Sequence, residues 1–205
     1  MKIAFTFDAE PPDRPRCDPG VPAAVVDLLR EKGLRATFFL QGRWVEAYPD
    51  TARRIVRDGH AVGNHSFFHA RMPLLSDDGI RADVGEATGA IEAITGADPR
   101  PWFRCPFGTG WQDPRVRKVL ERLGYRQVGW DALAYDWEPD RTAEAIVEAA
   151  VNGILSGNGH TVLLLHAWPD QTLEALPRLI DRLSAAGAEP AGLDELPTVP
   201  DAAEF

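Results

Sequence analysis

Hydrophobic and polar positions alternate along this chain in two rhythms, short apolar runs and longer stretches at helical spacing. Ile3 to Phe7 is an apolar, aromatic run that breaks at Asp8 and is followed by Pro11 and Pro12, which predicts a buried strand. Val21 to Lys32 carries Val25, Leu28 and Leu29 on one helix face, and Gly33 supplies a stop. Ala36 to Leu40 reads as the next strand, Pro49 to Asp58 as a helix ended by Gly59, and His60 to Gly63 as a short strand. Ser76 caps a longer helix to about Thr95, with Ile80, Val84, Ala87 and Ile91 on one face. The second half repeats the rhythm. Pro101 to Arg104 is extended, Asp113 to Leu123 helical, and Tyr125 to Gly129 extended. Thr142 to Leu155 is helical, Thr161 to His166 a continuous apolar strand, and Leu173 to Ala186 a helix with Gly187 beyond its end.

Strands separated by helices predict βαβ units and a parallel sheet. The pattern fits either a doubly wound sheet or a compact barrel, and periodicity does not choose between them. In both, ligands gather at the carboxyl ends of the strands. That is where polar residues interrupt the pattern: Asp8, His65, Arg104, Asp136 and His166 each follow an apolar stretch. No low-complexity linker, charge block or strict repeat divides the chain, so residues 1–205 are expected to form one domain.

Composition narrows the function classes. With 205 residues, 44% hydrophobic and 9% aromatic, the chain has enough apolar mass for a core of its own. That excludes a disordered tail and a disulfide mini-scaffold. Acidic residues outnumber basic ones by 31 to 22, a formal net charge of −9. A nucleic-acid partner would call for clustered Lys and Arg instead, and the same charge disfavours an acidic polymer as substrate. Cys17 and Cys105 are too few for a disulfide framework or a cysteine-built zinc site, though one disulfide between them stays open. The stretch from Met1 to Glu10 breaks at Asp8, short of the ~7–15 apolar residues and cleavage site of an export signal. No segment approaches the ~20 apolar residues of a membrane span. The expectation is a cytoplasmic protein with no membrane partner.

Several of the polar interruptions carry chemistry. His65 and His69 are four apart, a spacing that sets two imidazoles on one face of a helical turn and suits a divalent metal. The plainer reading is a pair of surface or capping histidines. Asp8 and Glu10, at i and i+2 of an extended segment, point the same way. One can then complete a metal site while the other serves as general base. Arg104 is placed to pair with a carboxylate and hold it oriented, or to form a purely structural ion pair. Pro106 keeps Cys105 out of the helical region and Gly108 permits a tight turn, which together aim the Phe107 N–H at a developing oxyanion. A carboxylate such as Asp136 on His166 would raise the imidazole pKa and fix its tautomer, making a proton donor. Taken alone, His166 reads as a strand-end histidine satisfied by backbone. Trp111 and Trp137 are candidates to line a substrate groove, with core packing as the default for any tryptophan.

In this order the motifs resemble those of the polysaccharide deacetylases with a NodB homology domain, carbohydrate esterase family four. Thr6-Phe7-Asp8-Ala9-Glu10 stands where that family has Thr-Phe-Asp-Asp-Gly. His65-Ser66-Phe67-Phe68-His69, Arg104-Cys105-Pro106-Phe107-Gly108, Asp136-Trp137 and Leu164-Leu165-His166 match the next four motifs, and the likeness runs from residue 3 to about 196. The resemblance implies an α/β fold, a distorted (β/α) barrel of about seven parallel strands with its groove at the strand carboxyl ends. It implies Asp8 as catalytic base, Arg104 as its partner, Asp136 as the carboxylate tuning His166, and His166 as the acid that protonates the leaving amine. His65 and His69 would be metal ligands, Trp137 a groove wall, and the Phe107 amide the oxyanion donor. The implied cofactor is a divalent metal, zinc first, with cobalt, nickel or manganese as alternatives. One departure is serious: the family's metal-binding aspartate is Ala9 here, and Glu10, one position on, is expected to take its place. A second is Leu133, where the fourth motif usually has another Asp.

The resemblance thus implies a metal-dependent hydrolase that removes an N-acetyl group from an N-acetylated sugar or glycosylated small molecule. A second reading keeps the site and changes the substrate to a non-sugar or cyclic amide, as in the allantoinase-like branch. A third is a non-catalytic carbohydrate-binding protein that has lost its metal site, for which Ala9 is the support.

Overall fold

In the computed structural model, which describes residues 1–11, 18–157 and 159–200, the alternation becomes a parallel sheet wrapped by helices. The first half comprises β1 (Lys2–Ala9), α1 (Val21–Glu31), β2 (Thr37–Leu40), α2 (Gly42–Ala47), α3 (Pro49–Arg57), β3 (Ala61–Asn64) and α4 (Asp77–Thr95). Then follow β4 (Trp102–Phe103), α5 (Pro114–Arg122), β5 (Arg126–Gln127), β6 (Ala132–Leu133), α6 (Ala143–Leu155), β7 (His160–His166), α7 (Asp170–Ala185) and β8 (Glu189–Pro190). The sheet order is β5-β4-β3-β2-β1-β7-β6, and every pairing is parallel. Closed into a circle, that order is the sequence order, as in a barrel; a doubly wound sheet would reverse partway. The fold is therefore a distorted (β/α) barrel of seven parallel strands, with short β8 pairing beside the start of β1. Among the described residues β5 and β6 share no ladder. Residues 128–131 span that joint: Val128 N–H donates to the Phe103 carbonyl at 2.8 Å, and Asp131 N–H to the Val162 carbonyl at 2.9 Å.

Local chemistry explains most boundaries. Ser76 Oγ accepts from Gly79 N–H at 3.1 Å, and Thr142 Oγ1 from Ala145 N–H at 3.2 Å, so α4 and α6 start at their expected caps. Gly96 ends α4 in the left-handed region at φ 73°, where a Cβ would be strained. Helix α2, only six residues long, is too short to show a helical period and lies outside the expected pattern. Helix α7 begins at Asp170, earlier than expected, and runs through Pro177. Strands β6 and β8 have two residues each, below what alternation can reveal.

Strand β1 separates two of the three apolar clusters, the third lying between α4, α5 and Phe103. Its odd residues Ile3, Phe5, Phe7 and Ala9 face outward and pack with Phe38, Leu40, Leu163 and Leu165 against helix residues such as Leu29, Ile91, Val147 and Leu176. Its even residues face the barrel interior. Ala4 packs there with Phe39, Val162, Leu164, Trp130 and Leu133, over Ala191, Leu193 and Leu196. Thr6 satisfies its hydroxyl by donating to the Leu163 carbonyl at 2.7 Å. Asp8 and Glu10 continue the inward series at the carboxyl end, both buried. No helix of the described residues is long and apolar enough to cross a membrane. Cys17 lies outside the described residues; Cys105 is free and buried, its thiol pushed up to about 12 by burial.

Candidate active site

Three polar pairs meet at the carboxyl end of the barrel. Asp8 sits in register with His166 on β7. Its Oδ1 accepts from Arg104 Nη1 at 2.9 Å, while Oδ2 lies 3.6 Å from His65 Nε2. The Arg104 guanidinium is fully buried, and its own pKa is lowered by that burial against the pull of Asp8. Its other nitrogens donate to the joint between β5 and β6: Nε to the Val128 carbonyl at 3.3 Å and Nη2 to the Gly129 carbonyl at 2.9 Å. The Phe39 ring backs it, 4.1 Å from Cζ. All three nitrogens and one face of this buried cation are thereby engaged, which offsets the cost of keeping its charge inside the barrel.

His65 follows β3 directly. Its Nδ1 is 2.9 Å from the Arg104 carbonyl, which can only accept, so Nδ1 carries a proton. Nε2 turns toward the carboxylates, to which it donates when the ring is protonated and beside which it can ligate when neutral. Glu10 Oε2 lies 3.2 Å from His65 Nε2 and pairs closely with His69 Nε2. Burial opposes the Glu10 charge, but the hydrogen bond with His65 and the nearby imidazoles outweigh it and hold the carboxyl down at about 2. The two histidines meet with ring centroids 5.0 Å apart, but not on a helical turn as the spacing suggested. Residues 65–70 form a loop in which Ser66 and His69 both have positive φ, 66° and 57°. A spacing of four serves a helix and such a loop equally well.

Asp136 faces His166 from the far wall. His166 Nδ1 is 2.8 Å from Asp136 Oδ1, while Oδ2 accepts from the His166 backbone N–H and the Thr172 hydroxyl, both at 2.7 Å. Burial pushes the His166 pKa down, yet the Asp136 carboxylate more than offsets this and leaves it raised. The Trp137 ring stands edge-on to His166 with centroids 5.4 Å apart.

These groups surround a cleft of about 350 Å³ lined by Asp8, Glu10, His65, His69 and His166, and walled by Phe107, Gly108, Trp130, Trp137 and Leu164. Phe107 is left-handed (φ 57°) and 49% exposed, its ring edge-on to His69. Trp111, expected at the groove, does not line this cleft; it packs against the interior cluster instead. Trp130 and Leu164 are the walls missing from the expected set. Both belong to that interior cluster, and neither departs from an ordinary apolar pattern.

Glu10, His65 and His69 each offer a ligand atom, all within 4.8 Å of one another. One carboxylate and two imidazoles, one of them oriented by a carbonyl on its other nitrogen, suit a divalent first-row cation. Ala9 is directed away, into the outer core.

A profile of the polysaccharide deacetylase family matches residues 1–128. A chitooligosaccharide deacetylase from Azorhizobium caulinodans is 32% identical over 200 residues, covering 90% of this chain and 89% of its own length. A family 4 carbohydrate esterase from Streptomyces lividans, solved in complex with acetate, superposes with a TM-score of 0.81 at 31% identity, covering 93% of this chain and 92% of that one. A CE4 family pseudoenzyme from Bacillus anthracis superposes at 0.83 with 26% identity, covering 95% of this chain and 64% of that one.

Proposed function

Since the chain belongs to the polysaccharide deacetylase family, we propose that it is a metal-dependent hydrolase removing an N-acetyl group from an N-acetylated sugar or a glycosylated small molecule. One observation carries this reading. A carboxylate tied to an arginine and an imidazole tied to a carboxylate face each other across the Glu10–His65–His69 set, with Glu10 Oε1 3.8 Å from His166 Nε2. A carbohydrate-binding module has no use for a proton-donating imidazole set beside a group of metal-ligating side chains, which favours the hydrolase reading over the pseudoenzyme likeness.

Glu10, His65 and His69 would hold the cation, and zinc, cobalt, nickel or manganese all accept that donor set. When bound, such a cation supplies Lewis acidity, polarising an acyl oxygen and acidifying a water. The chain's own groups do the rest. Arg104 occupies Asp8 Oδ1, leaving Oδ2 to take a proton from the attacking water. The Phe107 amide, at the left-handed turn, donates to the developing oxyanion. His166, held protonated by Asp136, gives its Nε2 proton to the departing amine, so that collapse releases acetate and a free amino group. Trp130, Trp137 and Leu164 wall the cleft and displace water from the acyl group.

Acetate release from N-acetylated chito-oligosaccharides, assayed beside cyclic ureides and imides with each cation added, tests the reading. Deacetylation of the oligosaccharides is expected. Turnover of the cyclic amides alone would move the substrate class, and no turnover with any cation would leave a binding protein.

The His166–Asp136 pair sets a pH dependence with a defined sign. Because the folded pKa of His166 is raised, its proton and the stability of the charged pair are fully present below about 6.5. Both are lost as pH rises through the folded value. The alkaline limb of kcat is therefore assigned to His166. Asp136→Asn removes the charge responsible, and the limb is expected to move toward acid. An unmoved limb in the variant's pH profile would take His166 out of the acid role.

A further inference from the structure

The loop carrying His65 and His69 is left-handed at two non-glycine positions, an arrangement that persists only where its surroundings enforce it. Four consecutive amides of the loop are each accepted by a side-chain oxygen. Ser66 N–H goes to Asn64 Oδ1 at 2.8 Å and His69 N–H to Ser66 Oγ at 2.9 Å. The two between go to one carboxylate: Phe67 N–H to Asp83 Oδ1 at 3.0 Å and Phe68 N–H to Asp83 Oδ2 at 3.1 Å. From the other side, the first turn of α2 donates Gly42 N–H to the Ser66 carbonyl at 2.9 Å. A Cβ on Gly42 would sit 2.2 Å from the Phe67 ring, so α2 comes as near as glycine allows.

Asp83 is 6% exposed on α4 and does not line the cleft. Among the described residues its two oxygens are met by backbone N–H groups and by no cationic side chain. We infer that Asp83 is a positioning residue: by accepting both amides it fixes the turn between the two histidines and so directs His69 toward Glu10 before any cation arrives. This rests on the metal reading of the Glu10–His65–His69 set. A carboxylate is required because both amides are donors. Asparagine keeps one acceptor and turns an NH₂ group toward the other N–H, so the near-isosteric change breaks one half of the clamp.

Cobalt(II) titration of the full chain, followed by calorimetry and by the absorption of the bound ion, tests this together with amide exchange of the metal-free protein. Asp83→Asn is expected to weaken cobalt binding about 10–100-fold, as changes behind a ligand do. It should also speed exchange at Phe67 and Phe68. Ile91→Val, a mild core change on the same helix, is expected to lower Tm while leaving cobalt affinity alone. Wild-type affinity with unchanged exchange in Asp83→Asn, or an equal loss in Ile91→Val, would overturn the inference. If the wild type takes up no cobalt, the metal reading itself falls. Exchange in the variant then decides the turn separately: acceleration upholds the Asp83 clamp and no change removes it.

Discussion

Asp8→Asn is expected to cut turnover by about 10²–10⁴ while cobalt or zinc affinity stays near that of the wild type. The amide retains an oxygen to accept from Arg104 Nη1 in place of Oδ1, so the cleft should keep its shape. What it loses is the second carboxylate oxygen, the one on Asp8 that Arg104 leaves open, 3.6 Å from His65 Nε2. The guanidinium then lacks a counter-charge in a buried setting, so some stability is lost as well. Rates should be compared well below the variant's Tm. Steady-state acetate release and metal titration on the same preparation check the prediction. Retained turnover would remove Asp8 as base, and lost affinity would make it a ligand.

Glu10→Ala is expected to have the largest effect on metal binding, beyond the ~10–100-fold that follows a change behind a ligand. The carboxylate is the anionic member of the set and touches both histidines. Adding Ala9→Asp to that variant is not expected to restore affinity, although it returns the acid to the family's usual position. Position 9 belongs to the outward series of β1, fully buried among Phe7, Phe38 and the helices. An aspartate there would be an unpaired charge in an apolar core, costing several kcal/mol. Titration of both variants, with thermal denaturation alongside, decides the matter. Recovery of affinity in the double variant would mean that the strand end can rotate to offer residue 9.

Much of this architecture is visible in the pattern of apolar residues, because long amphipathic segments such as 77–95 and buried runs such as 161–166 have few alternatives. The sheet-or-barrel choice was not visible there, since pairing order is a property of contacts between strands far apart in sequence. The motif residues are brought together: Asp8, His65, Arg104, Asp136 and His166 are each marked as a polar side chain after an apolar stretch, and Glu10 and His69 by their spacing from Asp8 and His65. Residues that act from the hydrophobic side escape that signal. Trp130 and Leu164 are ordinary interior residues by pattern and become cleft walls only through the curl of the sheet. Asp83 escapes for a different reason. It lies on a helix among other acidic residues, and its partners are amides 15 and 16 positions away. The tight turn expected at Gly108 is there, at φ 62°, but it extends back to Phe107, whose side chain gives no sign of a left-handed backbone.

Arg104 orients Asp8 with one nitrogen and binds the carbonyls of Val128 and Gly129 with the other two, at the joint between β5 and β6, where the described residues form no ladder. A descendant that abandons catalysis would still need that arginine to close its wall. Loss of turnover on removing the arginine would therefore report on folding as well as on chemistry. Asp136 is shared in the same way, since its Oδ2 ties the end of β7 to α7 through the His166 backbone N–H and the Thr172 hydroxyl, so the His166 ring is the place where chemistry can be removed with least disturbance to the wall.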